Sequence, residues 1–207
     1  MARRPRDAEA TRKAILDKAE ELFVRQGVGS TSMAQISAAC GCANSLIVHH
    51  FQSKKGLWNA VKDRAFEGFV ENSKAMFSGK PVSVQDLRET TVAYFRLLQD
   101  NPGLVQLLLR AELERDLEWN QINKEQLAPF VARMREAQAA GILRADVPAA
   151  HLLLIVINVI TRWFEARHMF EEWLGSASAD RDGEFLDNVL KVLFEGALST
   201  QGRGLKA

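Results

Sequence analysis

The stretch Ser32-Met-Ala-Gln-Ile-Ser-Ala-Ala-Cys-Gly-Cys-Ala-Asn-Ser-Leu-Ile-Val-His-His-Phe-Gln-Ser-Lys54 decides the fold. Ser32 and Gln35 stand at capping-box spacing: the hydroxyl can accept from the Gln35 amide while the glutamine side chain returns to Ser32. A helix of about two turns follows, with Ile36 and Ala39 expected inward. Gly41 ends it, because glycine takes the left-handed conformation at low cost. A second short helix starts at Ala43 or Asn44, and Asn44 has the better capping side chain. At about 100° per residue, Ile47 and Phe51 share its buried face and Ser45 and His49 point the other way. Two short capped helices around a glycine turn form a helix-turn-helix, which lays its second helix in the major groove of DNA.

So short a helix needs support. Ile15, Ala19, Leu22, Phe23 and Gln26 follow helical spacing upstream, with Asp7 as a plausible cap and Gly27 as a stop. Three helices thus make a compact head.

The pattern Thr11-Arg-Lys-Ala-Ile-Leu16, Ala19, Leu22-Phe23, Gly27, Thr31-Ser32, Ile36, Gly41, His50-Phe-Gln-Ser-Lys54 and Leu57 resembles the N-terminal domain of the TetR family of bacterial transcriptional regulators, over roughly residues 10–60. The resemblance implies DNA contacts from Ser32, Asn44, Ser45, His49 and His50, and a phosphate contact from Lys54. Leu46 and Val48 depart from the family, which commonly has threonine and tyrosine there. Either they meet thymine methyl groups, trading a backbone anchor for base readout, or they pack within the head. The resemblance also implies a C-terminal domain that binds a small-molecule effector and shifts the spacing of two heads.

Charge supports this polarity. Residues 1–64 carry 11 Lys/Arg against 6 Asp/Glu and residues 65–207 carry 16 against 20, so a near-neutral chain has a basic amino-terminal part. Arg3, Arg4 and Arg6 form a basic arm that either follows a groove or has no bound role. The two cysteines lie one residue apart, which argues against a disulfide framework and for a reducing compartment; Cys40 reads as a small buried residue. The start has no apolar run, and Leu152–Ile160 is about half the length a bilayer needs, so a cytoplasmic protein without a membrane partner is expected.

No strand pattern appears. The chain reads as all-α, with about nine helices: a helix-turn-helix domain over 1–53, with a basic arm over 1–7, and a helical effector-binding and dimerisation domain over 54–207. Helix four is expected over 54–77. Ser83 and Asp86 cap helix five. Asn101-Pro102 starts helix six, which runs to about Trp119. Helix seven spans about 124–140, with Pro129 as a kink or a first turn. The segment from Ala149 to Trp173 is apolar all round, and the stripe from Gly183 to Leu198 is broad. Paired across a two-fold axis, these last two helices would bury each other, with Ile155, Val159, Phe185, Val189, Leu193 and Ala197 at the interface. A homodimer would also read a palindromic operator.

Phe95, Leu108, Phe130, Met134 and Trp163 are candidate walls of an effector pocket, with Glu112, Asn158 and Arg162 as its polar groups. Asn158 reads equally as an interface hydrogen bond. No nucleophile–base pair, glycine-rich phosphate loop or His-Glu-x-x-His occurs, and His49 and His50 diverge by about 100° and cannot share one ion. No enzyme activity, cofactor or metal is expected; the alternatives are a DNA-binding regulator without an inducer, or a helical enzyme that spacing does not reveal.

Overall fold

The computed structural model describes residues 5–77, 80–113, 117–174 and 180–197. Among these are nine helices and no strand: α1 (Pro5–Gln26), α2 (Met33–Cys40), α3 (Asn44–Phe51), α4 (Lys54–Phe77), α5 (Val84–Asp100), α6 (Pro102–Leu113), α7 (Leu117–Ala139), α8 (Ala149–Leu174) and α9 (Arg181–Ala197). Most termini follow local chemistry. Ser83 and Asp86 make the expected reciprocal cap of α5. Gly27 and Gly141 follow α1 and α7 with positive φ. Two boundaries differ from expectation. α1 begins at Pro5, so Asp7 lies inside it rather than capping it. α7 begins a full two turns before residue 124 and carries Pro129 in its interior. α6 ends at Leu113.

The chain divides into two compact units, Met1–Gly68 with Gln106–Asp116, and Phe69–Val105 with Leu117–Ala207. The first unit runs past residue 53 because the start of α4 packs on α1. Trp58 meets Phe23 edge-on at 5.4 Å, and Lys62 lies over the Trp58 ring. Arg64 of α4 binds Asp17 at 2.6 Å and also Glu20. The hydrogen bond from Lys13, and then that from Arg64, hold the Asp17 carboxyl below the usual carboxylate range. From α6, Arg110 donates to the Val24 and Arg25 carbonyls, at 3.0 and 3.3 Å, satisfying acceptors that the end of α1 leaves open. Ile15, Leu16, Ala19, Phe23, Ile36, Ile47 and Leu57 form its buried interior.

In the second unit, Leu87, Ala137, Ile142, Leu143, Leu152, Leu190 and Phe194 form a core between α5, α7, α8 and α9. Asp182, in the first turn of α9, accepts from Trp163 Nε1 at 2.8 Å and from Arg167 at 2.9 Å, tying α9 to α8. Tyr94 shares a 2.8 Å hydrogen bond with Thr161, and its burial pushes the phenol up to about 12, so it stays neutral.

Candidate nucleic-acid interface

The helix-turn-helix forms as its residues require. Ser32 Oγ accepts from Gln35 N at 3.2 Å, and Gln35 Oε1 accepts from Ser32 N at 2.7 Å, completing the capping box. Ile36 is fully buried, whereas Ala39 is exposed, contrary to expectation. Gly41 takes φ +64, and its turn is closed by Cys42 N donating to Ser37 O at 3.2 Å and Ser37 Oγ donating to Cys42 O at 2.5 Å. Ala43 is the N-cap of α3 and offers no side-chain bond; Asn44 is the first helical residue, not the cap.

Ile47 and Phe51 point into the head. Asn44, Ser45, Val48 and His49 are exposed on the opposite side, and Leu46 and His50 are half-buried. The unoccluded face is therefore small, polar and neutral, apart from an apolar spot at Val48, 44 % exposed. A uniform apolar face would mark protein docking and a carboxylate-bearing face would repel phosphate; this one does neither. Residues 1–4, with Arg4, lie outside the described residues, as does the side chain of Arg6.

Lys54 is placed differently from expectation. Its Nζ donates to the carbonyls of Val28 at 2.9 Å, Gly29 at 3.3 Å and Thr31 at 3.0 Å. An ammonium has three protons, and the α1–α2 loop engages all three. Lys54 therefore clasps that loop to the start of α4. Beside it, Gln52 has φ +65, and Ser53 N donates to Phe51 O at 2.7 Å, a three-residue turn in its rarer positive-φ form, whose central residue is strained. Ser53 Oγ then caps α4 by accepting from Gly56 N at 3.0 Å.

Cys40 and Cys42 also depart from expectation. They are half-buried and joined by a disulfide across the turn, so Cys40 is not an isolated buried thiol. Positions on either side of a left-handed glycine bring the side chains together, a consequence of turn geometry that a count of cysteines does not carry.

The residues expected to wall an effector pocket mostly do other work. Phe95 packs on Phe164, Phe130 stacks on Phe69, and Trp163 stacks on Phe185 at 4.1 Å. Asn158 is exposed and bonds back to Leu154 O at 2.7 Å; Arg162 is exposed beside Glu165. Leu108 belongs to the first unit, and the side chain of Glu112 lies outside the described residues. A cavity of about 200 Å³ lies between α5, α7, α8 and α9, and is lined by Thr91, Met134, Leu152, Val156 and Leu193 among others. Met134 alone was expected there. The broad α9 stripe resolves likewise. Val189 is buried in the core, which corrects it from interface to interior, whereas Phe185 is half-buried and stacked on Trp163. Leu193 is half-buried, and the side chain of Ala197 is outside the described residues. Ile155 and Val159 are exposed as expected, with Leu154 and Val192 beside them in type.

An exposed second helix on a helix-turn-helix, carried by a helical body, defines a DNA-binding transcriptional regulator. The comparisons give the family. Residues 15–61 match the family described as "Bacterial regulatory proteins, tetR family", and residues 86–188 match "Tetracyclin repressor-like, C-terminal domain". The HTH-type transcriptional regulator UidR of Escherichia coli K12 is 30% identical over 161 residues, covering 74% of this chain and 79% of that one. The HTH-type transcriptional regulator AcrR of Shigella flexneri is 38% identical over 96 residues, and the match spans only 44% of each chain. The crystal structure of a TetR family transcription regulator from Marinobacter aquaeolei VT8 superposes with a TM-score of 0.73 at 16% identity, covering 95% of this chain and all of that one. The chain belongs to the TetR family, whose members are transcriptional regulators and not enzymes.

Proposed function

We propose that this protein is a homodimeric repressor that binds a palindromic operator through the outward face of α3 and is released by a small apolar effector. The observation that carries the DNA half is the placement of Asn44, Ser45, Val48 and His49 together on the solvent side of α3. Asn44 and His49 supply hydrogen-bonding groups for base edges or phosphates, and Val48 supplies apolar contact for a thymine methyl group. Ser32 uses its oxygen as acceptor in the capping box and keeps its hydroxyl proton for a phosphate oxygen. His50 and Leu46 are half-buried and serve at the rim.

Dimerisation is supported by α8. Its inner side, with Leu152, Leu153, Ile160 and Trp163, is buried, while Leu154, Ile155 and Val159 remain exposed, as does Val192 of α9 at 72 %. The stretch Ala149–Phe170 is long and apolar enough to cross a bilayer by length and composition. Its buried inner side and the exposed Asn158 and Arg162 on its outer side fit a core helix with a protein-facing surface better. Replacing Ile155 with glutamate should convert dimer to monomer in sedimentation equilibrium at micromolar concentration and leave the helical content unchanged. A dimer that survives Ile155→Glu and Val159→Glu together would place the interface elsewhere.

The cavity supports the effector half: its walls are mostly aliphatic, with Phe194 and Arg144 among them, and Thr91 spends its hydroxyl on Leu87 O. A compact apolar ligand suits it. Such a ligand lowers DNA affinity only if it binds the two head spacings unequally. Narrowing the cavity with Leu152→Phe should abolish both ligand-induced thermal stabilisation and ligand-induced release of duplex. Release that persists in that variant would put the effector in another site. Membership of a family of DNA-binding regulators supports a cytoplasmic location.

A further inference from the structure

Cys40 closes α2, Gly41 makes the turn, and Cys42 leads into α3. The two cysteines are disulfide-bonded with Cα atoms 5.4 Å apart, within the span a disulfide bridges. Both are half-buried, so small solutes reach them. The turn does not depend on the bond: Gly41 N donates to Ala38 O at 3.4 Å, Cys42 N to Ser37 O at 3.2 Å, and Ser37 Oγ to Cys42 O. The reduced form also has a place, because Cys40 Sγ lies 3.5 Å from Ser37 O, an acceptor for its thiol proton. One backbone therefore houses both redox states, directly before the exposed Asn44 and Ser45.

We propose that Cys40 and Cys42 are a reversible thiol–disulfide modification site that stiffens the turn supporting the outward face of α3, with a low-molecular-weight disulfide as oxidant. The Cys42 thiolate, beside the amino end of α3 where the helix dipole favours an anion, attacks one sulfur of the oxidant. That breaks the oxidant's S–S bond, forms a mixed disulfide and expels one thiolate. The Cys40 thiolate then attacks Cys42 Sγ, closes the internal disulfide and expels the second thiolate. Two electrons pass to the oxidant, which leaves as two thiols carrying the two protons. A dithiol runs the sequence backwards. Any consequence for DNA rests on the reading of α3 given above.

The test uses the full chain, with glutathione disulfide as oxidant and dithiothreitol as reductant. After denaturation and alkylation, oxidised protein should take no label and be lighter than the unlabelled reduced protein by two hydrogens, while reduced protein takes two labels. Closing a ring of three residues should slow amide exchange at Cys42–Ile47 about tenfold in the oxidised protein, with no change in the second unit. Cys40→Ser, close to cysteine in size, should exchange at the reduced rate under both conditions. Two labels after oxidation, a persistent glutathione adduct, or equal exchange rates would overturn the proposal. Neither readout involves DNA, so this failure is distinguishable from a failure of the operator reading.

Discussion

Gly56→Ala should lower the melting temperature by about 6–12 °C at fixed protein concentration, through a loss of about 3 kcal/mol. A Cβ at Gly56 would sit 2.1 Å from the Phe51 carbonyl oxygen, far inside contact distance, and the obstacle is backbone at the end of α3. It cannot swing aside as a side chain would. Either α4 shifts along its axis or Phe51 leaves its pocket, and both tilt the helix that carries Ser45 and His49. DNA affinity should fall by at least about tenfold on every sequence, because the loss is one of orientation rather than of a base contact. Gly68→Ala, in the same helix with open space around the added carbon, is the control and should be neutral or stabilising by up to about 1 kcal/mol. Equal melting temperatures for the two variants would show that α3 and α4 are not held at this close approach. Tm must be compared at one protomer concentration, since dimerisation contributes to it.

The second large effect is expected at Lys54. Methionine keeps the length of the stem and removes the ammonium. The carbonyls of Val28, Gly29 and Thr31 then lose a common donor, at a cost of about 2 kcal/mol given their partial access to water. The α1–α2 loop loosens, and with it the capped start of α2 where Ser32 stands. Duplex affinity should fall severalfold, but the slope of its logarithm against the logarithm of salt should stay as in the parent. A phosphate ligand behaves otherwise: its removal reduces that slope by about one per contact. A flatter slope in Lys54→Met, with unchanged stability, would restore Lys54 to the phosphates and contradict the clasp.

The contrast between these two residues shows what the sequence carried. The capping boxes at Ser32–Gln35 and Ser83–Asp86, the stop at Gly41 and the inward pair Ile47–Phe51 are local, each set by residues within four positions, and all could be read directly. The clasp by Lys54 joins residues more than twenty positions apart. A lysine after a helix cap gives no sign of whether its ammonium turns outward to an anion or back to carbonyls. The same limit explains α9. A stripe that includes Phe185, Val189, Val192 and Leu193 is broader than one contact, and periodicity does not say which side meets the chain's own core. Trp163, fixed by Asp182 and stacked on Phe185, decides it and leaves Val192 outward. The pocket residues failed for a related reason. Large aromatics such as Phe95 and Phe130 fill space against other aromatics, and the cavity opens where mostly aliphatic walls from four helices fail to meet.

The basic amino-terminal part of the chain and the neutral, exposed face of α3 imply one division of labour: charge around the head sets affinity, and the side chains of α3 set sequence preference. The most direct test is titration of a palindromic duplex, selected from random DNA, followed by anisotropy across salt concentrations. The prediction is two protomers per duplex, half-sites about 34–36 Å apart or a multiple of that, and a fall in affinity of about a thousandfold or more between 50 and 200 mM salt. Selection that yields no palindrome, or a duplex affinity that salt leaves unchanged, would contradict the placement of α3 in the groove.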